Sequence, residues 1–108
     1  MSEVKRQLKI KTGSVRRLAK EVVMYKKDEQ TETDRVSRMK AAGGDPSDIK
    51  HAEQVLAEAA MMVPDTRQRL ETALADLQQC LSQSSKVQES EEHQQAKQTA
   101  SEAEAVLA

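Results

Sequence analysis

The apolar residues from Val4 onward recur with the seven-residue spacing of a packed helix. Two lines of positions would face one neighbour, and they are Val4, Leu8, Val15, Leu18, Val22, Tyr25, Val36 and Met39. This spacing predicts one long helix over residues 3–41. Gly13 weakens the pattern locally, because glycine inside a helix costs about 1 kcal/mol relative to alanine. A helix start at Thr12 is therefore the alternative.

The segment AAGGDPSD at 41–48 separates this helix from the next one. Gly43 and Gly44 are typical of a helix end, Asp45 of an N-cap, and Pro46 of a first helical position. Beyond the cap a large residue recurs every seven positions, and the line is Ile49, Leu56, Val63, Leu70 and Leu77. Its partner line holds smaller residues, from Ala52 to Cys80. The pattern predicts a second helix over 46–82.

Pro64 lies inside this second pattern and raises the question of two helices or one bent helix. The seven-residue register passes through Pro64 without an insertion or a deletion, and Val63 is a poor N-cap. Proline removes a main-chain hydrogen bond and crowds the carbonyl four residues earlier. We therefore predict one helix, bent at Pro64. Flanking apolar residues predict that its buried face rotates there, and they are Val55 and Met62 before the bend and Leu74 and Leu81 after it.

The remaining segment predicts a shorter third helix over roughly 86–107, with Ser84 or Ser85 as its cap. Its apolar positions are mostly alanines, which permit close approach but bury little area. Short connections favour antiparallel neighbours. The predicted fold class is all-α, a coiled-coil-like antiparallel three-helix bundle that forms a single domain over residues 1–108.

Composition and motifs argue against an enzyme. Aromatic residues make up 1% of the chain, so a wide cofactor pocket is hard to line, and we expect no cofactor. His51 and His93 are far apart in the sequence and are interpreted as solvated surface residues, so no metal site is expected. Cys80 is interpreted as a buried structural thiol. A phosphate-binding loop and a nucleophile elbow are both missing from the sequence.

The basic residues are concentrated at the start of the chain. Residues 1–27 hold nine Lys or Arg and two acidic residues, although the whole chain has a net charge of −1. A mitochondrial transit peptide is disfavoured, because the same residues carry core spacing that continues into the next segment. A pI of about 6.1 and one Tyr disfavour nucleic-acid binding. The lack of a long apolar run disfavours a membrane span and suggests an intracellular protein.

Several apolar residues fall outside the predicted core lines and lie near the basic positions. Exposed Met and Ile often mark adaptable protein contacts. A partner surface, a homodimer seam and scattered surface residues are three explanations that the sequence leaves open. The partner-binding candidates are Lys9, Ile10, Arg16, Arg17, Lys20, Val23, Met24 and Met61.

Four motifs together resemble the tubulin-binding cofactor A family: LKIKTG at 8–13, KEVVMY at 20–25, DPSDIK at 45–50 and MMVPDTRQRLETALADLQ at 61–78. The resemblance covers roughly 5–81 and fades over the last predicted helix. It implies a three-helix bundle with a proline-bent middle helix.

The same resemblance implies a non-enzymatic cytosolic chaperone that uses no nucleotide. Such a chaperone captures β-tubulin released from the cytosolic chaperonin and holds it until other tubulin-folding cofactors assemble the α/β heterodimer. The competing hypothesis from the residues alone is a helical scaffold or adaptor whose heptads pair with other amphipathic helices.

Overall fold

The computed structural model describes residues 2–108 and contains three α-helices. They are α1 (Glu3–Ala41), α2 (Pro46–Ser82) and α3 (Glu91–Leu107), with a 3₁₀ turn at Ser85–Val87 before α3. Residues 2–108 contain no β-strand. The predicted all-α class and the three helices are confirmed, and α1 and α2 begin and end at the predicted residues.

The first turn of α1 is fixed by local polar contacts, so the helix begins well before the alternative start at Thr12. The Ser2 side chain accepts a hydrogen bond from the Lys5 main-chain N–H at 3.2 Å and serves as N-cap. The Glu3 carboxylate accepts from Arg6 at 2.9 Å and from Gln7 at 2.9 Å. These hydrogen bonds, that of Arg6 first, lower the pKa of Glu3 to about 2.

The connection between α1 and α2 is a tight turn that needs its first glycine. Gly43 has a φ of 68°, which side chains other than glycine rarely adopt. The N–H groups of Gly43 and Gly44 donate to the carbonyls of Lys40 and Met39, the paired pattern of a Schellman motif. Asp45 then caps α2 by accepting from the Ser47 N–H at 2.7 Å, as predicted.

Pro64 lies inside α2, which continues without interruption from Pro46 to Ser82. The prediction of one helix in place of two is therefore confirmed. Pro64 is exposed and has no N–H, so the carbonyl of Ala60 lacks its usual intrahelical donor.

The third helix begins later than predicted. Ser84 and Ser85 do not cap it, because the chain first forms the 3₁₀ turn and Val87 accepts from the Ser90 N–H at 2.9 Å. Ser90 is the N-cap and accepts from the His93 N–H at 3.2 Å. Two acidic residues follow in the first turn, where the helix dipole favours them.

Polar contacts between the helices show an up-down-up arrangement. Lys11 near the start of α1 pairs with Asp76 near the end of α2 at 2.6 Å. Lys40 at the end of α1 pairs with Glu53 near the start of α2 at 3.6 Å. The first two helices are therefore antiparallel.

The third helix runs parallel to α1 and antiparallel to α2. Arg16 of α1 contacts Thr99 of α3, and Lys26 contacts the carbonyl of Val106 farther along both helices. Arg67 of α2 donates to the Leu107 carbonyl at 2.7 Å. Because α3 has no basic residue in its last turn, these two cations from the other helices satisfy its terminal carbonyls.

The bundle has a three-helix half and a two-helix half, because α3 ends beside Lys26 and Arg67. The main core lies in the three-helix half. Its fully or nearly fully buried residues are Leu8, Val15, Leu18, Val22, Leu70, Leu74, Leu77, Ala96, Ala100 and Ala103. The molecule measures 64 × 21 × 16 Å, so this core is thin and elongated.

In the two-helix half the predicted core line of α2 is only partly covered. Ile49, Leu56 and Val63 are half-buried, and Met62, predicted to flank the core, is exposed. The physical reason is that α3 does not extend along this half. Of the other residues predicted to flank the core, Val55 before Pro64 and Leu81 after it are both half-buried, and Leu74 is buried.

The prediction of a solvated His93 is wrong, because its exposed fraction is 7%. His93 precedes Ala96 by three residues and Ala100 by seven, so it lies on the buried stripe of α3. Its Nδ1 atom is buried and has no hydrogen-bond partner within residues 2–108. His51 is exposed, as predicted.

Candidate partner-binding surface

Seven of the eight candidate residues lie on one side of α1. At roughly 100° of rotation per residue, they fall within an arc of about 140°. We call this surface, together with Gly13 near its centre, the α1 outer face. Its members are Lys9, Ile10, Gly13, Arg16, Arg17, Lys20, Val23 and Met24.

The apolar members of the α1 outer face are strongly exposed. The exposed fractions are 51% for Ile10, 54% for Val23 and 47% for Met24. Burying such side chains against a partner is favourable by about 25 cal/mol per Å² of apolar area. The α1 outer face therefore offers exposed apolar contacts in the three-helix half, above the main core.

The cations of the α1 outer face differ in how much they are engaged. Lys9, Arg17 and Lys20 have no carboxylate within 4.0 Å in the described part of the chain. Arg16 donates to the Thr99 hydroxyl of α3 at 3.1 Å, which the sequence did not predict. Arg16 therefore also helps to dock α3.

Two concave surfaces border the α1 outer face on its α3 side. Val23 lies in a cleft of about 280 Å³ between α1 and α3, which Glu102 and Val106 also line. Nearer the start of α3, a cleft of about 540 Å³ includes Lys9 on one side and Glu91 and Glu92 on the other. The sequence did not identify these α3 residues, because only the docking of α3 brings them beside α1.

Met61 is separate from the other candidates. It lies on α2 in the two-helix half and has an exposed fraction of 70%. The structure thus brings seven of the predicted candidates into one surface and leaves Met61 outside it.

Other residues that carry chemistry do not form a second site. Cys80 is half-buried beside Lys11 and Asp76, so its predicted burial is incomplete. Within residues 2–108, no group of three or more His, Cys, Asp or Glu side chains is placed to hold a metal ion. None of the helices in that range combines the length and apolar composition that a membrane span requires.

The model of one protein family, described as tubulin binding cofactor A, matches residues 3–100. The chain belongs to the tubulin-binding cofactor A family. Mouse tubulin-specific chaperone A is 46% identical over 92 residues, which cover 85% of each chain.

Two solved structures of tubulin-binding cofactor A proteins have the same fold as this chain. Human tubulin chaperone cofactor A gives a TM-score of 0.84 at 40% identity, covering 94% of this chain and 98% of the human one. Tubulin folding cofactor A from Arabidopsis thaliana gives a TM-score of 0.88 at 41% identity, covering 94% of this chain and 96% of the plant one. The fold predicted from the heptads and from the family resemblance is therefore that of the family.

Proposed function

We propose that this chain is a non-enzymatic cytoplasmic chaperone that captures β-tubulin and holds it on the route to the α/β heterodimer. Membership of the tubulin-binding cofactor A family supports a tubulin-folding role. The other tubulin-folding cofactors would then act on the captured subunit without direct contact with this chain. No bound cofactor or nucleotide is part of the proposal.

The observation that carries the proposed binding surface is the combination of exposed apolar residues and unpaired cations on the α1 outer face. Ile10 and Met24 lie fourteen residues apart along one line of the helix, and Arg17 lies midway between them. Two exposed apolar side chains can hold a partner by burial, while the cations attract an acidic surface over a longer range. We propose that β-tubulin presents that acidic surface.

The capture of β-tubulin can be tested by native gel filtration of the chain with isolated β-tubulin, isolated α-tubulin and an unrelated coiled-coil protein. We expect co-elution with β-tubulin alone. Co-elution with every helical partner, or self-association without tubulin capture, would instead support the scaffold hypothesis. The elution volume of the chain alone also tests the homodimer hypothesis.

The binding surface can be tested by comparing charge and apolar variants in a kinetic binding assay. The double variant Arg17→Glu/Lys20→Glu should slow association by about tenfold at low salt, because steering by exposed charges is strong there. The effect should shrink above physiological salt, where the screening length falls below about 8 Å. Arg17 and Lys20 are preferred to Arg16, because Arg16 contacts Thr99 of α3.

The matched charge control is Lys50→Glu/Lys86→Glu, which changes the net charge equally at two exposed positions outside α1. The variant Ile10→Ala/Met24→Ala should raise the dissociation rate with little dependence on salt, because it removes buried apolar contacts. Wild-type kinetics for both α1 double variants would contradict the proposed surface. The search would then move to α2, beginning with Met61.

A further inference from the structure

Gly13 has no structural role that the folded chain explains. A Cβ atom built at Gly13 would meet no heavy atom within 4 Å, so packing does not require a glycine there. Its φ is not positive, because Gly43 is the one residue of 2–108 with a positive φ. Glycine inside a helix is less favourable than alanine. Neither packing within the chain nor the backbone conformation therefore explains why this destabilising residue is present in α1.

The surroundings of Gly13 suggest an external reason. Gly13 lies near the centre of the α1 outer face, three residues after Ile10 and four before Arg17. It borders a shallow depression of about 390 Å³ that Arg17, Lys20 and Met24 also line. On its other side it borders the cleft between α1 and α3. Gly13 therefore lines both concave surfaces. Because it has no side chain, the helix backbone is exposed to solvent at this position.

We infer that Gly13 is the place where the main chain of a bound β-tubulin segment approaches α1 most closely. A glycine permits such an approach because no side chain stands between the two backbones. Ile10 and Met24 would contact the segment on either side of Gly13 along the helix. This inference rests on the proposed function, and it names the part of the α1 outer face at which the partner packs.

Charge indicates what kind of segment fits this place. The depression beside Gly13 is lined by Arg16, Arg17 and Lys20 together with one acidic residue, Glu21. An acidic segment with an apolar side chain would complement these cations and the exposed apolar residues. Across the cleft, Glu91 and Glu92 of α3 would repel such a segment. The segment should therefore lie along α1 on the side of Gly13 away from the start of α3.

The test compares Gly13→Ala and Gly13→Leu with wild type in binding to isolated β-tubulin and in thermal unfolding. Thermal stability should rise for Gly13→Ala, by about 4 °C in melting temperature for a chain of this size. Affinity for β-tubulin should fall by about fivefold or more for Gly13→Ala and further for Gly13→Leu, as overpacking of a close contact predicts. The opposite directions of the two effects separate a binding role from a folding role.

The matched control is Ala75→Leu, which adds bulk at an exposed position of α2. It should leave β-tubulin affinity unchanged. If wild type binds β-tubulin and both Gly13 variants bind equally well, the inference is wrong while the proposed function stands. If wild type does not bind β-tubulin, both are wrong. A Gly13→Leu variant that loses self-association but keeps tubulin affinity would assign Gly13 to a homodimer contact and overturn the inference.

Discussion

Replacement of Pro64 by alanine should stabilise the fold and weaken the capture of β-tubulin. Pro64 is exposed, so its ring contributes little burial that alanine would lose. Alanine restores the main-chain N–H at position 64, which can donate to the carbonyl of Ala60 within the helix. The substitution therefore removes a local cost without removing a core contact.

The size of this stabilisation can be bracketed from two limits. Regaining one main-chain hydrogen bond contributes about 0.5–1.5 kcal/mol. The full difference in helix propensity between proline and alanine is about 3 kcal/mol. Since α2 already accommodates the proline ring, we expect a value between these limits, about 1–3 kcal/mol. For a chain of about 100 residues this corresponds to a rise in melting temperature of about 4–12 °C.

Urea unfolding followed by circular dichroism measures the first effect, and the denaturant slope should not change. Binding to isolated β-tubulin measures the second effect. Because α2 packs against α1 along the bundle, we propose that the expected bend at Pro64 affects the shape of the α1 outer face that the partner contacts. A loss of stability would refute the reasoning, because it would show that packing on both sides of Pro64 depends on the bend. Unchanged capture by a variant whose crystal structure shows a straightened α2 would refute the proposed role of the bend in binding.

Two further predictions concern the uneven core and the start of α1. Leu77→Ala should destabilise the fold by about 2–5 kcal/mol, because Leu77 is fully buried in the three-helix half. Leu56→Ala should cost only about 1 kcal/mol, because Leu56 is half-buried. Equal losses of stability in urea unfolding would contradict the division into two halves. Because the folded-state pKa of Glu3 is lowered from 4.5 to about 2, the contribution of Glu3 to the first turn is present above pH 4.5 and is lost as the pH falls towards 2. Glu3→Gln should remove this pH dependence. If NMR shows that the Glu3 carboxyl of the wild type titrates near 4.5, the hydrogen bond from Arg6 is not formed in solution.

The sequence predicted the parts of the fold that depend on local chemistry. The boundary between α1 and α2 follows from Gly43, whose left-handed backbone ends α1, and from Asp45, whose carboxylate caps α2. The continuity of α2 through Pro64 follows from an unbroken heptad register. In each case neighbouring residues decide the conformation, so the pattern alone is sufficient.

The sequence failed where tertiary packing decides the outcome. The sequence predicted Ser84 or Ser85 as the cap of α3, but Ser90 is the N-cap because a 3₁₀ turn at Ser85–Val87 comes first. His93 is buried because α3 docks with that stripe inward, although a histidine in a polar segment usually indicates a surface position. Half-burial of Leu56 reflects the point at which α3 ends, which a heptad pattern on α2 cannot report.

The candidate site shows the same division between local and tertiary information. The sequence pattern placed Ile10 and Met24 outside the core lines of α1, and both side chains are exposed in the structure. The bond between Arg16 and Thr99 was not predictable, since it requires the relative position of two helices that are distant in the sequence. The clefts that border Gly13 and Val23 were hidden for the same reason.

The position of the α1 outer face within the bundle affects how well it can hold a partner. The stretch of α1 from residue 9 to residue 24 contributes Val15, Leu18 and Val22 to the main core, which also contains residues of α2 and α3. A surface on a well-packed helix loses little conformational freedom on binding, so more of the contact energy appears as affinity. Met61, in contrast, lies where only two helices pack, and local opening is easier in such regions. Hydrogen exchange should therefore be slower in residues 9–24 than around Met61. This difference makes the α1 outer face better suited than the region around Met61 to form a long-lived complex with a partner.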